Sequence, residues 1–286
     1  MSAAVSVVLP AKNEAANLQG LLPELRATLP EAEIVVIDDG STDGTREVAL
    51  EHGARCISHP YSMGNGAAVK RGARVARGDI LVFMDADGQH RPADVPRLLA
   101  ALEGGYDMVV GARDAASQAS LGRRLANGIY NRLASWMVEH RIEDLTSGFR
   151  AVRARRFRQF LYMLPNTFSY PSTITMAFFR AGYLVGYVPI RAERRGGRSH
   201  IRPLKDGLRF LLIIFRIGTL YSPMKMFLPI SLGFLGLGLG YYAWTFAMQG
   251  RFTNMSALLL TTSVLVFLIG MLSEQITTMI FSRVEG

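Results

Sequence analysis

The stretch FMDADGQH, Phe83–His90, changes character in the middle, where an apolar run ends in two aspartates one residue apart and then a glutamine. The residues leading into it, ILVFM, have the pattern of a buried strand. If that strand stays extended, Asp85, Asp87 and Gln89 share one side of it, because side chains two residues apart point to the same face. Two carboxylates and an amide oxygen are ligands suited to Mg²⁺ or Mn²⁺. A turn with solvated carboxylates is the alternative, since this spacing alone is common in turns.

Short apolar strands alternate with helical patterns on both sides of this stretch. Strands are predicted at Val5–Pro10, Glu33–Asp38, Arg55–Ser58, Asp79–Asp85 and Asp107–Arg113. Helical spacing separates them, as in residues 14–29, where four leucines fall on one face: Leu18, Leu21, Leu22 and Leu25. This alternation predicts an α/β, Rossmann-like fold with a mostly parallel sheet covered by helices on both faces.

Polar residues follow two further strands at the corresponding ends. PAKNE, Pro10–Glu14, follows the first strand, and DDGSTDGT, Asp38–Thr45, follows the second. The carboxyl ends of parallel strands meet at one edge of a sheet, where such folds bind ligands. We therefore expect these tips to line one crevice with the aspartates of the fourth strand. A turn followed by a helix cap is the alternative. It would account for Asp43, but not for Asp38 and Asp39 at the end of the strand.

Two long apolar segments lie near the end of the 286-residue chain. Met226–Met248 contains no charged residue, and Phe252–Ser282 contains only Glu274. Each exceeds the roughly 20 residues needed to cross a bilayer, and each contains glycine, which is common in membrane helices. The sequence thus predicts two membrane-spanning helices joined by a turn near Arg251. A buried hairpin of a soluble protein is the alternative.

Positive charge is concentrated just ahead of these segments. Residues 191–225 contain nine Lys and Arg against two acidic residues, in a chain whose net charge is +9. Such an excess beside a span marks the cytoplasmic side and favours lipid headgroups or phosphates over nucleic acid as partners. The first ~220 residues, which lack a signal peptide at their start, are expected to stay cytoplasmic. Residues 204–216 have the spacing of an amphipathic interfacial helix or of an ordinary surface helix.

Together these motifs resemble the family-2 glycosyltransferases with a GT-A fold. The resemblance covers Val5 to Ile201 and rests on PAKNE, DDGSTDGT, GNGAAVKRG, DADGQH and GAR in the family's order. More narrowly, the chain is similar to the dolichol-phosphate mannose synthases and their bacterial polyprenyl-phosphate relatives. The narrower features are Gln89, DLTSGFRA at Asp144–Ala151, the basic RRGGRSH at Arg194–His200, and the membrane hairpin.

The resemblance implies three parts of the chain and an inner-membrane location. They are a GT-A glycosyltransferase domain over residues 1–200, an interfacial amphipathic helix region over 201–223, and a two-helix transmembrane anchor over 224–286. The implied orientation keeps the catalytic domain cytoplasmic. Gly236, Gly238 and Gly240 favour close helix packing and are compatible with a homo-oligomer, without giving a subunit number.

Site residues are also implied by the resemblance. The nucleotide-sugar is expected at Pro10, Ala11, Glu14, Ile37, Asp39, Asp85, Ala86, Arg194 and His200. The metal, Mg²⁺ or Mn²⁺, is expected at Asp85, Asp87 and Gln89. The acceptor phosphate is expected at Arg113, Arg198 and Arg202. Catalytic roles are implied for Asp87, Arg113 and Asp144.

Two positions depart from the family pattern, and one role stays open. Relatives often carry Tyr where this chain has Ala11 or Lys12, and Lys where it has His200, a weaker and pH-dependent phosphate contact. Asp144 matches the base of inverting relatives with hydroxyl acceptors. Here it would orient a sugar hydroxyl or an arginine, because a lipid phosphate is already ionised. A structural cap on the loop at Thr146 and Ser147 is the alternative.

The implied activity is inverting transfer of a hexose from a UDP- or GDP-linked sugar to undecaprenyl or dolichyl phosphate, giving a lipid-linked monosaccharide. Another lipid or glycan acceptor is the first alternative. A processive polysaccharide synthase is disfavoured, since such relatives typically carry a QxxRW motif that is absent from this sequence. A non-catalytic, membrane-anchored sugar-binding protein would need neither Asp85 nor Asp87.

Overall fold

The computed structural model describes residues 3–113, 121–167, 169–191, 215 and 218–282. The chain divides into two compact units, Met1–Ser199 and His200–Gly286. Most of the predicted interfacial region, residues 201–223, lies outside the described residues. That part of the domain organisation stays a prediction.

Strands and helices alternate along the first unit. In chain order they are β1 (Val5–Ala11), α1 (Ala15–Thr28), β2 (Glu33–Asp38), α2 (Thr45–Glu51), β3 (Arg55–Ser58), α3 (Asn65–Val75), β4 (Ile80–Phe83), a 3-10 turn (Pro92–Asp94), α4 (Val95–Glu103) and β5 (Met108–Arg113). They continue with α5 (Leu121–Val138), β6 (Arg150–Arg153), α6 (Ala154–Arg158), α7 (Tyr170–Arg180) and β7 (Val185–Ile190). The five predicted strands are confirmed, although β4 ends at Phe83, two residues earlier than expected.

One seven-stranded sheet carries this unit, in the order β3-β2-β1-β4-β6-β5-β7. β1 pairs in parallel with β2 and β4, and β5 pairs in parallel with β7. Only β6, among the described strands, runs antiparallel, between β4 and β5. The mostly parallel, Rossmann-like sheet is therefore confirmed. Because β6 is reversed, the loop that enters it lies at the edge where β4 and β5 end.

The core fills the space between the sheet and its helices. Val8 in β1 and Val35 in β2 are completely buried, as expected for central strands covered on both faces. The predicted leucine face of α1 is buried as well. In α3, Gly72 lies so close to Val8 that a Cβ could not be accommodated, which brings this helix tightly onto β1.

The second unit contains the helical hairpin that the sequence predicted. α8 (Pro223–Gln249) and α9 (Asn254–Ser282) are joined through Gly250, which has a φ of 63° and ends α8. By length and composition both helices could cross a membrane. Only 11% and 17% of their most apolar windows are buried, which is unlike a helix in a soluble core. Within the hairpin, Glu274 accepts a hydrogen bond from the Met224 amide at the start of α8.

Small residues line the contact between α8 and α9. Apart from Pro223 at the start of α8, the buried positions are seven residues apart: Ser231, Gly238 and Thr245 on α8, and Ser256, Ser263, Gly270 and Thr277 on α9. The Ser231 and Ser263 hydroxyls each donate to the backbone carbonyl of the other residue at 2.9 Å. Of the three glycines expected to pack closely, only Gly238 does. A Cβ at Gly236 or Gly240 would meet nothing within 4 Å, because these residues lie off the seven-residue register.

Candidate active site

A cavity of about 540 Å³ opens at the carboxyl ends of β1, β2 and β4. Its wall consists of Pro10, Ala11, Lys12, Glu14, Asp39, Ser62, Gly64, Asn65, Ala68, Asp85, Ala86, Asp87 and Gln89. The three polar strand tips that the sequence placed at one edge thus share one crevice. Five lining residues were not among the expected site residues: Lys12, Ser62, Gly64, Asn65 and Ala68. Lys12 lies inside the PAKNE motif and three others lie inside GNGAAVKRG, whereas Ser62 carries no sequence signal of its own.

The aspartates of DADGQH lie in a turn rather than on an extended strand. The backbone amide of Met84 still donates to Val8, but residues 86 and 87 already form a turn. Gly88 follows with a φ of 74°, and the Gln89 amide donates to Asp87 Oδ1 at 3.2 Å. The interpretation based on strand phase was therefore wrong in its geometry. The turn still brings all three side chains to the cavity wall.

The donor set at this wall fits a hard divalent cation. Two carboxylates, Asp85 and Asp87, and the Gln89 amide line the same cavity. Among the residues that the structure describes, no group of three or more His, Cys, Asp or Glu side chains converges to form a metal cage. Mg²⁺ and similar ions are commonly held by one or two carboxylates and complete their shell with water and substrate phosphates. The residues present suit that type of site.

Asp39 holds the loop that forms the opposite wall. Its carboxylate accepts hydrogen bonds from His59 Nδ1, the Ser62 hydroxyl, and the amides of Met63 and Gly64, all between 2.7 and 2.9 Å. Burial alone would raise the pKa of Asp39, but these bonds outweigh it and lower the pKa to about 2. A carboxylate offers about four acceptor positions, and four are occupied here. Asp39 therefore shapes the wall that the predicted nucleoside contact would use.

The glycines at the start of α3 allow the backbone of residues 165–166 to approach closely. A Cβ at Gly64 or Gly66 would collide with the carbonyls of Asn166 and Pro165. Asn166 also accepts a hydrogen bond from the Ala67 amide at 3.2 Å, and Lys70 Nζ donates to the Leu164 carbonyl at 3.0 Å. The loop around residue 165 is thereby fixed to the first turn of α3, beside the cavity.

The buried Asp144 and the partly exposed Arg113 form a bidentate ion pair at the end of β5. Arg113 Nε lies 2.8 Å from Asp144 Oδ2, and Nη2 lies 3.0 Å from Oδ1. Asp144 Oδ1 also accepts from the amides of Thr146 and Ser147, each at 3.1 Å. Asp144 therefore both orients an arginine and caps its loop, as two of the interpretations above held. These bonds suit Asp144 poorly to a role as proton acceptor.

The protonation states of this pair are set by their mutual contact. Burial alone would raise the pKa of Asp144, but hydrogen bonds and charge from Arg113 lower it. Burial alone would lower the pKa of Arg113, but Asp144 and the charge of Asp85 raise it. Both groups are charged at neutral pH.

His90 is a buried residue of the site that the sequence did not single out. Its ring is 5% exposed and stacks on Phe149 with ring centroids 4.9 Å apart. Burial is the main cause that lowers the pKa of His90 to about 4, with the charges of Asp87 and Arg113 acting in opposite directions. A neutral imidazole thus connects the aspartate turn to the loop after Asp144. A histidine following DADGQ gives no sequence signal of its burial.

The remaining expected site residues lie elsewhere or are not described. Ile37 is completely buried in β2 and faces Gly72 of α3, so its side chain has no surface for a ligand. The basic residues expected at the donor and acceptor phosphates lie outside the described residues: Arg194, Arg198, His200 and Arg202.

Comparison with known proteins agrees with this architecture. Residues 6–179 match the family described as glycosyl transferase family 2, and residues 222–279 match the family described as GtrB C-terminal hairpin. Glycosyltransferase AglJ of Haloferax volcanii is 27% identical over 96% of this chain and 94% of that protein. Undecaprenyl-phosphate mannosyltransferase of Micrococcus luteus is 33% identical over 68% of this chain and 86% of that protein.

Solved structures include glucosyl-3-phosphoglycerate synthase from Mycobacterium tuberculosis in complex with Mn²⁺, UDP and glucosyl-3-phosphoglycerate. It is 25% identical, with a TM-score of 0.58 and coverage of 76% of this chain and 78% of that one. The family match spans nearly all of the sheet and every residue of the cavity wall. On these grounds, the chain belongs to glycosyl transferase family 2.

Proposed function

We propose that this protein transfers a hexose from a UDP- or GDP-linked sugar to a polyprenyl phosphate at the cytoplasmic face of the cell membrane, with inversion at the anomeric carbon. The observation that carries the proposal is one cavity whose wall combines two carboxylates and an amide with the PAKNE residues, together with a partly exposed arginine, Arg113, held by Asp144. A nucleoside diphosphate needs such a cation site, and an acceptor phosphate needs such an arginine.

The lipid acceptor is supported by two findings. The Micrococcus relative is named for its action on undecaprenyl phosphate. The second unit has two helices that could cross a membrane and matches a hairpin family. An enzyme anchored in this way meets a membrane-bound acceptor without leaving the bilayer surface.

On the donor side, Asp85, Asp87 and Gln89 would hold Mg²⁺ or Mn²⁺. A cation bound there offsets the charge that develops on the departing diphosphate. The loop that Asp39 organises would contact the nucleoside, and Glu14 and Lys12 complete that wall. The cavity thereby orients the donor.

On the acceptor side, the pair with Asp144 fixes the plane of the Arg113 guanidinium. Nε and Nη2 face Asp144, so we expect the phosphate at the opposite edge, toward Nη1. A planar guanidinium binds phosphate oxygens with defined geometry. The arginine would therefore aim the lipid phosphate at the sugar.

Bond exchange needs no strong base in this arrangement. A phosphate oxygen of the lipid forms the new bond to the anomeric carbon as the bond between that carbon and the diphosphate breaks. The electron pair leaves with the nucleoside diphosphate. The attacking phosphate already carries negative charge near pH 7, since its second pKa is about 6. A single in-line displacement of this kind inverts the anomeric configuration.

The test is turnover of the full-length protein in detergent with a panel of UDP- and GDP-sugars and a short polyprenyl phosphate, with Mn²⁺ or with EDTA. We expect one donor to release its nucleoside diphosphate together with a new glycolipid, only when the cation is present. NMR of the product then reports the anomeric configuration. Transfer to a soluble acceptor alone would overturn the lipid assignment. Donor binding without transfer to any acceptor would support a sugar-binding protein instead.

A further inference from the structure

Gly148 lies in direct contact with the carboxylate of Asp85. A Cβ placed on Gly148 would lie 3.1 Å from Asp85 Oδ2 and 3.4 Å from Oδ1. It would also lie 3.3 Å from the Tyr170 hydroxyl. The φ of Gly148 lies outside the left-handed region. A side chain at this position would therefore be tight against the carboxylate, whereas the backbone conformation would accept one.

Two buried side chains donate hydrogen bonds to the backbone at Gly148 and the residue before it. Arg150 is completely buried and donates through Nη2 to the Ser147 carbonyl. The Tyr170 hydroxyl donates to the Gly148 carbonyl at 3.3 Å. The guanidinium of Arg150 lies 5.7 Å from the centre of the Tyr170 ring, so the two supports also contact one another.

Arg150 is an unusual group to bury. Over the part of the chain that the structure describes, no carboxylate lies within ion-pair distance of it. Its Nη1 donates instead to the Pro171 carbonyl at 3.3 Å and to the Thr175 hydroxyl at 3.2 Å, and its Nε has no partner. A buried charge of this kind is costly unless it is well bonded. Its bonds to Ser147 and to the start of α7 fix the loop in one position.

The same loop carries the acceptor-side pair. The Ser147 amide donates to Asp144 Oδ1, and Asp144 in turn binds Arg113. Four residues after Asp144, Gly148 contacts Asp85. The loop from Asp144 to Arg150 is therefore one rigid connection between the residue proposed for the cation and the residue proposed for the acceptor phosphate.

We infer that Arg150, Tyr170 and Gly148 are positioning residues, which set the Asp85 carboxylate at a fixed place relative to the Arg113–Asp144 pair. This inference rests on the proposed function, because it concerns the same cation and acceptor groups. Residues that orient metal ligands typically change metal affinity or activity by about 10–100-fold when they are altered.

The sharpest test is Gly148→Ala in the full-length protein in detergent. The added methyl group would displace the Asp85 carboxylate by a few tenths of an ångström without forcing a new backbone conformation. We expect Mn²⁺-dependent binding of UDP or GDP, measured by titration calorimetry without acceptor, to weaken by about tenfold or more. The melting temperature should stay close to that of the parent protein. Gly20→Ala is the matched control, because a Cβ at Gly20 in α1 meets nothing within 4 Å.

Two further variants separate the supports. Tyr170→Phe removes one hydrogen bond to Gly148 with little change in volume, and Arg150→Lys keeps the charge but cannot bond both Ser147 and α7 in the same way. Each should weaken Mn²⁺-dependent nucleotide binding by about three- to tenfold, less than Gly148→Ala, since a single support is lost. Mn²⁺ affinity and turnover should fall together.

The outcomes distinguish this inference from the proposed function. If the parent protein and Gly148→Ala bind Mn²⁺ and nucleotide equally, the inference is wrong and the proposed function stands. If neither protein binds a nucleotide with Mn²⁺, both are wrong. Weaker binding in Gly148→Ala at unchanged melting temperature, with Gly20→Ala like the parent, would support the inference.

Discussion

The two units of this chain bury opposite kinds of residue. In the first, apolar side chains such as Val8, Leu18 and Val35 are completely buried. In the hairpin, all the buried residues except Pro223 are serine, threonine or glycine, while large apolar side chains are exposed. Leu237 and Leu272, for example, are 65% and 64% exposed. The two units are therefore suited to different surroundings.

The physical reason lies in what drives association in each medium. In water, removing apolar surface contributes about 25 cal/mol per Å², so the sheet and its helices bury valine and leucine. In lipid, that driving force is absent between helices, and close backbone approach and hydrogen bonds stabilise the contact instead. The reciprocal hydrogen bonds of Ser231 and Ser263 are contacts of this second kind.

The candidate active site lies in the first unit, and we expect the largest loss of activity from a substitution at Asp87. Asp87→Ala removes one of two carboxylates from the proposed cation wall, so we expect turnover to fall by at least about 100-fold, with folding retained. Steady-state release of nucleoside diphosphate and a melting curve measure the two quantities. Glu103→Gln, a charge change at the exposed end of α4, serves as the control. Activity of Asp87→Ala close to that of the parent would contradict the site.

Truncating one leucine in each unit tests whether the two units bury different kinds of residue. Leu18→Ala opens space in a buried position and should lower the free energy of unfolding of the first unit by about 2–5 kcal/mol. Leu237→Ala removes an exposed side chain of α8 and should change the melting temperature in detergent little. Thermal unfolding of both full-length variants gives the result. Equal losses would show that the hairpin buries its leucines after all.

The small-residue contact in the hairpin can be probed by crosslinking. Ser231→Cys with Ser263→Cys, in a Cys56→Ser background, should form a disulfide, since the two hydroxyls lie 3.2 Å apart. Adding Gly270→Leu should weaken the helix contact by about 1 kcal/mol and reduce crosslinking by roughly fivefold, because a Cβ there already meets Phe227 at 2.6 Å. Gly236→Leu is the control and should have no effect, as it meets no neighbour. A similar loss from both leucines would argue against this register.

The smallest expected effect is the contribution of Asp39 to the stability of the first unit at acid pH. Its pKa in the folded protein is about 2, below the ordinary value of 3.8. The carboxylate therefore stabilises the fold fully above about pH 4, and this contribution is lost as the pH falls toward 2. Asp39→Asn should be less stable than the parent at pH 7, with the difference shrinking between pH 4 and 2. Melting temperatures across that range measure it, and a constant difference would contradict the assignment.

Five of the seven strands, the helical hairpin and the shared edge of three polar strand tips could be predicted from the amino-acid sequence. Those features follow from local periodicity and from the rule that parallel strands end together. The sequence pattern also led to errors: Asp85 and Asp87 were expected on an extended strand, and Gly236 and Gly240 were expected at a close helix contact. The spacing of apolar residues does not show where a strand ends, and β4 ends at Phe83.

The position of the loop from Asp144 to Arg150 at the site could not be predicted from the sequence. That placement depends on β6, which pairs in the antiparallel direction with β4 although more than sixty residues separate them along the chain. Such long-range pairing leaves no mark in the spacing of apolar residues. It brings Gly148 against Asp85 and Asp144 against Arg113, and so joins the two halves of the candidate site.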